Sequence, residues 1–179
     1  DDNSRLYNFK PDLVILFIDT KSLLGETYFD YYQLSEKEKN NLYKSNIMHV
    51  ELLANKILQN LNCKIILHNF EVPAHSPLGI IENKQEFGFV EFVKKINFEI
   101  EKRYKSDNQI FIFDYDAFCS KWGKNNIIDS KLYYLGDIKI NLKYFSELCE
   151  EYISYIKPLL SLTKKCIVLD LDNTLWGGI

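Results

Sequence analysis

The sequence predicts an α/β fold, a three-layer sandwich in which a mostly parallel sheet is covered by helices on both faces. Two observations carry that expectation. Residues 13–18, 64–68, 109–113 and 166–171 form short, nearly continuous apolar segments, and strands without polar alternation have to be buried on both faces. Each segment is separated from the next by a stretch whose apolar residues recur at helical spacing, the alternation that builds parallel sheets with right-handed crossovers.

The elements follow in chain order. Residues 13–18, Leu-Val-Ile-Leu-Phe-Ile, are the longest uninterrupted apolar run. Six residues fall far short of the ~20 that a membrane-spanning helix needs, so the run reads as a strand. Residues 35–41 alternate Glu and Lys, a solvated helix or loop. Ser45 is placed to cap a first long helix, with Ile47, Val50, Ala54, Ile57, Leu58 and Leu61 on one face. After the strand at 64–68, Phe89, Phe92, Val93, Ile96 and Ile100 mark a second helix. A third runs from about Asn141 to Ile156 with Phe145, Leu148, Cys149, Tyr152 and Ile156 inward, and closes near Pro158. Residues 161–165 read as a junction between a first domain, 1–160, and the start of a second, 166–179.

Composition narrows the function classes. The 179 residues are 46% hydrophobic and 15% aromatic, ample for a packed core, with a net charge of only -3. Lys94-Lys95 and Lys164-Lys165 are isolated pairs, so there is no basic stripe for nucleic acid. Cys63, Cys119, Cys149 and Cys166 are too dispersed for metal-binding pairs, and His49, His68 and His75 show no ligand spacing. Cys63 and Cys166 occupy apolar strand positions, where cysteine serves as a small hydrophobe. Together these point to a reduced, cytoplasmic setting. The chain opens Asp1-Asp2-Asn3 and stops soon after its last motif, as a fragment of a longer protein would.

That last motif carries the nameable chemistry. An apolar strand runs into Asp170-Leu171-Asp172-Asn173-Thr174, followed by Leu175-Trp176-Gly177-Gly178. Alternation along a strand puts Asp170 and Asp172 on one face at the C-terminal edge, where ligands bind in open α/β sheets. A carboxylate there can attack a phosphoryl group in line, provided a hard divalent cation such as Mg2+ offsets the charge repulsion. Asp172 is spaced to give and recover a proton, and Thr174 offers a hydroxyl to orient phosphate.

The string resembles the first motif, D-x-D-x-T, of the haloacid dehalogenase (HAD) superfamily. The longer form from Lys165 to Gly178 is similar to the version in FkbH-like proteins, HAD subfamily IIIC, whose HAD domain follows an N-terminal α/β domain. The resemblance implies Asp170 as nucleophile, Asp172 as acid/base, and Mg2+ held by the Asp170 carboxylate and the Asp172 backbone carbonyl. It further implies a phosphoglycerate-like substrate, whose phosphate is removed and whose glyceryl unit is loaded on an acyl carrier protein for polyketide extender-unit supply. The remaining motif residues of a HAD site lie on later strands, so this chain alone is expected to be inert.

The first domain has an outline of its own. Residues 10–20, ending Ile18-Asp19-Thr20, resemble the strand of SGNH-type hydrolases that ends in G-T-N-D, on a flavodoxin-like sheet. Residues 137–141, followed by Tyr144, resemble their D-x-x-H block. The departures are specific: Lys21 stands in place of the oxyanion-hole Asn, Ile140 in place of the catalytic His, and the G-D-S nucleophile block is absent. An esterase needs a base beside its hydroxyl, so the expected domain lacks the catalytic Ser and His. Asp19, Lys21, Asn69, His75, Asp114 and Asp137 fall near strand ends, where lining a crevice and capping turns are both open to them. Trp122-Gly123 and Tyr133-Tyr134 are a recognition surface or packing residues.

Three functions are thus in competition: a Mg2+-dependent FkbH-type phosphatase or phosphotransferase, a non-catalytic docking module for a carrier protein or other partner, and an SGNH-type esterase.

Overall fold

A computed structural model describes residues 4–164 and 166 of the chain. After a short α1 (Arg5–Phe9) comes β1 (Leu13–Leu16), then α2 (Thr20–Leu24), α3 (Thr27–Asp30) and the long α4 (Glu36–Asn60). β2 (Lys64–His68) leads through a loop with a 3-10 turn at Gly79–Lys84 to α5 (Phe89–Tyr104) and β3 (Ile110–Phe113). The elements described after β3 are helices: α6 (Tyr115–Trp122), α7 (Lys124–Ile127), α8 (Ser130–Gly136) and α9 (Phe145–Leu159).

The described strands form one parallel sheet in the order β1-β2-β3. The central strand is the most deeply buried, with Ile65 and Ile66 at 0% exposure, because it has a strand on either side and helices above and below. Alternation divides its side chains between two cores. Ile65 and Leu67 join Ile110, α4 and α5 through Val50, Ala54, Ile57, Phe92, Val93 and Ile96. Ile66 faces the opposite way, with Phe113 of β3 and Phe118, Cys119 and Leu148 of α6 and α9. The expected three layers are therefore present, helices on both faces of a parallel sheet.

Several boundaries differ from the sequence expectation, each for a physical reason. Ser45 is not a cap. α4 begins ten residues earlier, where Ser35 and Glu38 form a capping box that satisfies orphan amides at the helix start; the Ser45 hydroxyl instead donates back to the Leu42 carbonyl. On α9, Phe145 and Cys149 are exposed rather than inward. The buried stripe uses Leu148, Tyr152, Tyr155, Ile156 and Leu159. Pro158 lies inside the last turn, and the chain leaves the helix at Leu160. β1 pairs only to Leu16, after which Phe17 and Ile18 lead to the cap of α2.

Cys63 is buried just before β2, as expected of a small hydrophobe, whereas Cys166 is exposed and outside any strand. Apart from Cys166, the fourth predicted strand lies outside the described residues, as do Asp170, Asp172 and Thr174.

Candidate functional site

Parallel strands end at one edge of a sheet, and the turns that leave them build a crevice there. In this chain the crevice is a cavity of about 320 Å³ lined by the segments that follow β1 and β2, with α3, α7 and α8 closing the sides. Asp19, Asn69 and His75, three of the strand-end candidates, meet in it.

Asp19 caps α2, accepting from the Ser22 amide at 3.1 Å and its hydroxyl at 2.6 Å. It also accepts from the Tyr133 hydroxyl at 2.6 Å and pairs with Lys139 at 3.0 Å. Burial pushes its carboxyl up, but these hydrogen bonds together outweigh burial and hold it down at about 2. Both oxygens are thereby committed. Asn69 is likewise spent: its amide donates to Asp114 at 2.8 Å and its oxygen accepts from the Asp116 amide at 3.0 Å, joining the end of β2 to the start of α6.

Glu71 is different. Three residues past the end of β2, it borders the cavity and is largely withdrawn from water, which raises its carboxyl to about 7; nearby Lys124 opposes that shift and Asp116 adds to it. Lys124 itself is held by Asp116 at 2.6 Å and by the Val72 carbonyl. The Val72 amide donates to the same Asp116 oxygen at 2.7 Å.

Beneath the cavity floor His68 is 1% exposed. Its ring lies against Phe17, Phe113, Tyr115 and Tyr152, and its Nε2 meets the Tyr152 hydroxyl at 2.7 Å. Its Nδ1 has no hydrogen-bond partner among the described residues. Burial lowers the imidazole to about 3, so it is neutral at any physiological pH.

The other candidates take structural roles. Asp114 caps α6 through the Ala117 amide at 2.9 Å. Lys21 lies over the Tyr133 and Tyr134 rings, and Asp137 ends α8 in the left-handed region and pairs with Lys139. Trp122 packs in the second core beside Tyr144, while Tyr133 and Tyr134 border the cavity.

The arrangement does not form a hydrolytic triad. Ile140, in the position of the expected base, is buried in the second core and borders none of the cavity. His75 is exposed and reaches the Asn125 amide at 3.4 Å; among the described residues no hydroxyl bordering the cavity is hydrogen-bonded to it. The described residues also contain no group of three or more His, Cys, Asp and Glu arranged to hold a metal ion.

Over residues 1–157 the chain matches the family described as FkbH, N-terminal domain. It belongs to that family. This FkbH N-terminal domain is also similar to a solved structure, the crystal structure of the N-terminal part of the protein BF1531 from Bacteroides fragilis, containing a phosphatase domain complexed with Mg. The two are 27% identical with a TM-score of 0.75; the alignment takes in all of this chain and 46% of the other. The chain therefore spans a little under half of that neighbour. No curated protein matches it. Among the described residues no helix is long and apolar enough to cross a membrane.

Glu71, Lys124, Tyr28 and Lys139 were not among the residues singled out from sequence. Glu71 had a usable signal: an acid between Phe70 and Val72, just past an apolar strand, is the same anomaly that marks Asp170 and Asp172. Tyr28 and Lys139 had none, because only the tertiary fold carries them to the strand ends.

Proposed function

We propose that the chain is the N-terminal domain, with the opening motif of the catalytic domain, of a Mg2+-dependent HAD-type phosphatase or phosphotransferase of the FkbH kind. One observation carries this reading: Asp170-Leu171-Asp172-Asn173-Thr174 follows a domain of the FkbH N-terminal family. The neighbour with a Mg-bound phosphatase domain supports it. Asp170 is the nucleophile and Asp172 the proton donor and acceptor. The Asp170 carboxylate and the Asp172 carbonyl are hard oxygen donors of the kind Mg2+ takes, and Thr174 orients the phosphate. Bound Mg2+ supplies charge neutralisation of the phosphoryl oxygens. The substrate we favour is phosphoglycerate-like, with the glyceryl unit passed to an acyl carrier protein in the cytoplasm.

Phosphate release by the full-length protein, assayed with and without Mg2+, tests this. Asp170→Asn is expected to abolish turnover, and retained turnover would sink the assignment.

A second reading concerns the first domain alone, as a non-catalytic docking module. It is favoured by a crevice at the strand ends from which Ile140, standing where the resembled D-x-x-H block has its His, is absent, since Ile140 lies in the second core. Binding of a phosphopantetheinylated carrier to residues 1–160 would support it, and no binding at high micromolar concentration would count against it. The two readings are compatible.

A further inference from the structure

The ion pairs bordering the crevice leave one acid over. Asp116 holds Lys124 at 2.6 Å, and Asp19 holds Lys139 at 3.0 Å. Glu71 has neither a salt bridge nor a hydrogen-bond donor among the described residues; it feels Lys124 only at a distance, and that ammonium is already engaged by Asp116 and the Val72 carbonyl. A carboxylate drawn out of water without a partner costs several kcal/mol, or else keeps its proton. A ligand bringing its own positive charge would remove that cost.

The walls suit such a ligand. Tyr28 and Tyr115 lie within electrostatic reach of Glu71, and Phe17 packs edge-on to Tyr115 at 5.1 Å. Aromatic faces attract ammonium groups, and this crevice already does so: Lys21 and Lys139 stand 5.1 and 5.2 Å from the Tyr133 ring centre. An anionic ligand has less to gain, since Lys124 and Lys139 are both spent on carboxylates.

We propose that the crevice at the C-terminal edge of the sheet binds a small organic ammonium ligand, its charged nitrogen on Glu71 and its carbon body against Phe17, Tyr28 and Tyr115. A cavity of about 320 Å³ admits a molecule the size of an amino acid or an aromatic amine. The proposal is independent of the phosphatase reading, so Asp170→Asn is expected to leave this binding intact.

Calorimetric titration of the intact protein with benzylamine and with benzyl alcohol, near-isosteres that differ in charge, is the test. At about pH 8 the amine is expected to bind at least about tenfold more tightly than the alcohol, and Glu71→Gln is expected to erase that preference. Amine affinity should also rise with pH through about 7, as Glu71 gives up its proton. The groups facing Glu71 are Lys124 and Asp116, Tyr28, Tyr115 and Cys119, with His75 in the same loop and Asp19 and Lys139 bordering the same cavity. The rise has to persist in His75→Asn, which removes the imidazole from the same loop. Equal affinity for the two compounds, no binding of the amine, a preference surviving in Glu71→Gln, or displacement of the amine by inorganic phosphate would each overturn the proposal.

Discussion

The Tyr152 hydroxyl sits 2.7 Å from Nε2 of His68, joining the middle of α9 to the last residue of the central strand. The imidazole it meets is sealed among aromatic rings and held neutral, down to about 3, by burial. Unfolding exposes it to water, where its ordinary value is about 6.5, so the unfolded chain binds more protons between those two values. Stability from this residue is therefore complete above about pH 6.5 and is lost as pH falls toward about 3, by an amount on the order of 4 kcal/mol. Urea unfolding at a series of pH values should show this slope, and His68→Gln should flatten it. An unchanged slope in the variant would mean His68 is not the group responsible.

Glu71 should act in the opposite direction. Its carboxyl, raised to about 7 by burial, holds its proton in the fold after the unfolded chain has released it near pH 4.5, so its contribution is full below about 4.5 and is lost as pH rises through about 7. Glu71→Gln is expected to raise stability at about pH 8 by on the order of 2 kcal/mol and to change little at about pH 4. Between about pH 4.5 and 6.5 the His68 and Glu71 slopes oppose each other, so each single variant should uncover the slope of the other residue.

Tyr133→Phe removes one donor from Asp19 while leaving Ser22 and Lys139 in place. The Asp19 carboxyl is held at about 2, so its stabilisation is present above about 3.9 and lost as pH falls through about 2. Tyr133→Phe should move that carboxyl toward its ordinary value, cost about 1 kcal/mol at neutral pH, and shift acid unfolding to higher pH. Carboxyl titration by NMR would read the first effect directly; an Asp19 value that stays near 2 would rule out Tyr133 as a contributor.

Asn97 on α5 meets the Phe70 backbone twice, donating to its carbonyl at 2.7 Å and accepting from its amide at 2.8 Å. Asn97→Ala would leave both buried groups without partners and is expected to cost about 2–4 kcal/mol. Asn97→Asp keeps the acceptor but sets a buried carboxylate oxygen against the Phe70 carbonyl, and is expected to cost at least as much at neutral pH. Chemical denaturation of the two variants ranks them; equal stability of Asn97→Ala and wild type would show that water replaces the side chain.

The fold was largely legible because its strands are apolar on both faces: β2 at Lys64–His68 and β3 at Ile110–Phe113 emerge from the sequence within a residue. The start of α4 was hidden because the Ser35 capping box lies in a charged run where no apolar periodicity announces a helix. The inward stripe of α9 was blurred because Phe145 and Cys149 sit at its margin, where a small rotation decides burial. For the crevice, the strand-end rule found Asp19, Asn69 and His75 from local position. It could not find Tyr133, which reaches Asp19 across 114 residues of chain, because no local pattern encodes a contact of that kind.

Lys64 opens β2, and its ammonium donates to the Leu159 carbonyl at the end of α9, 2.9 Å away. The last turn of that helix is thus fastened to β2, the strand that among the described residues has neighbours on both sides, and the opposite end of the same strand carries His68 and leads into Asn69 and Glu71. The domain's exit point and its crevice are the two ends of one tether.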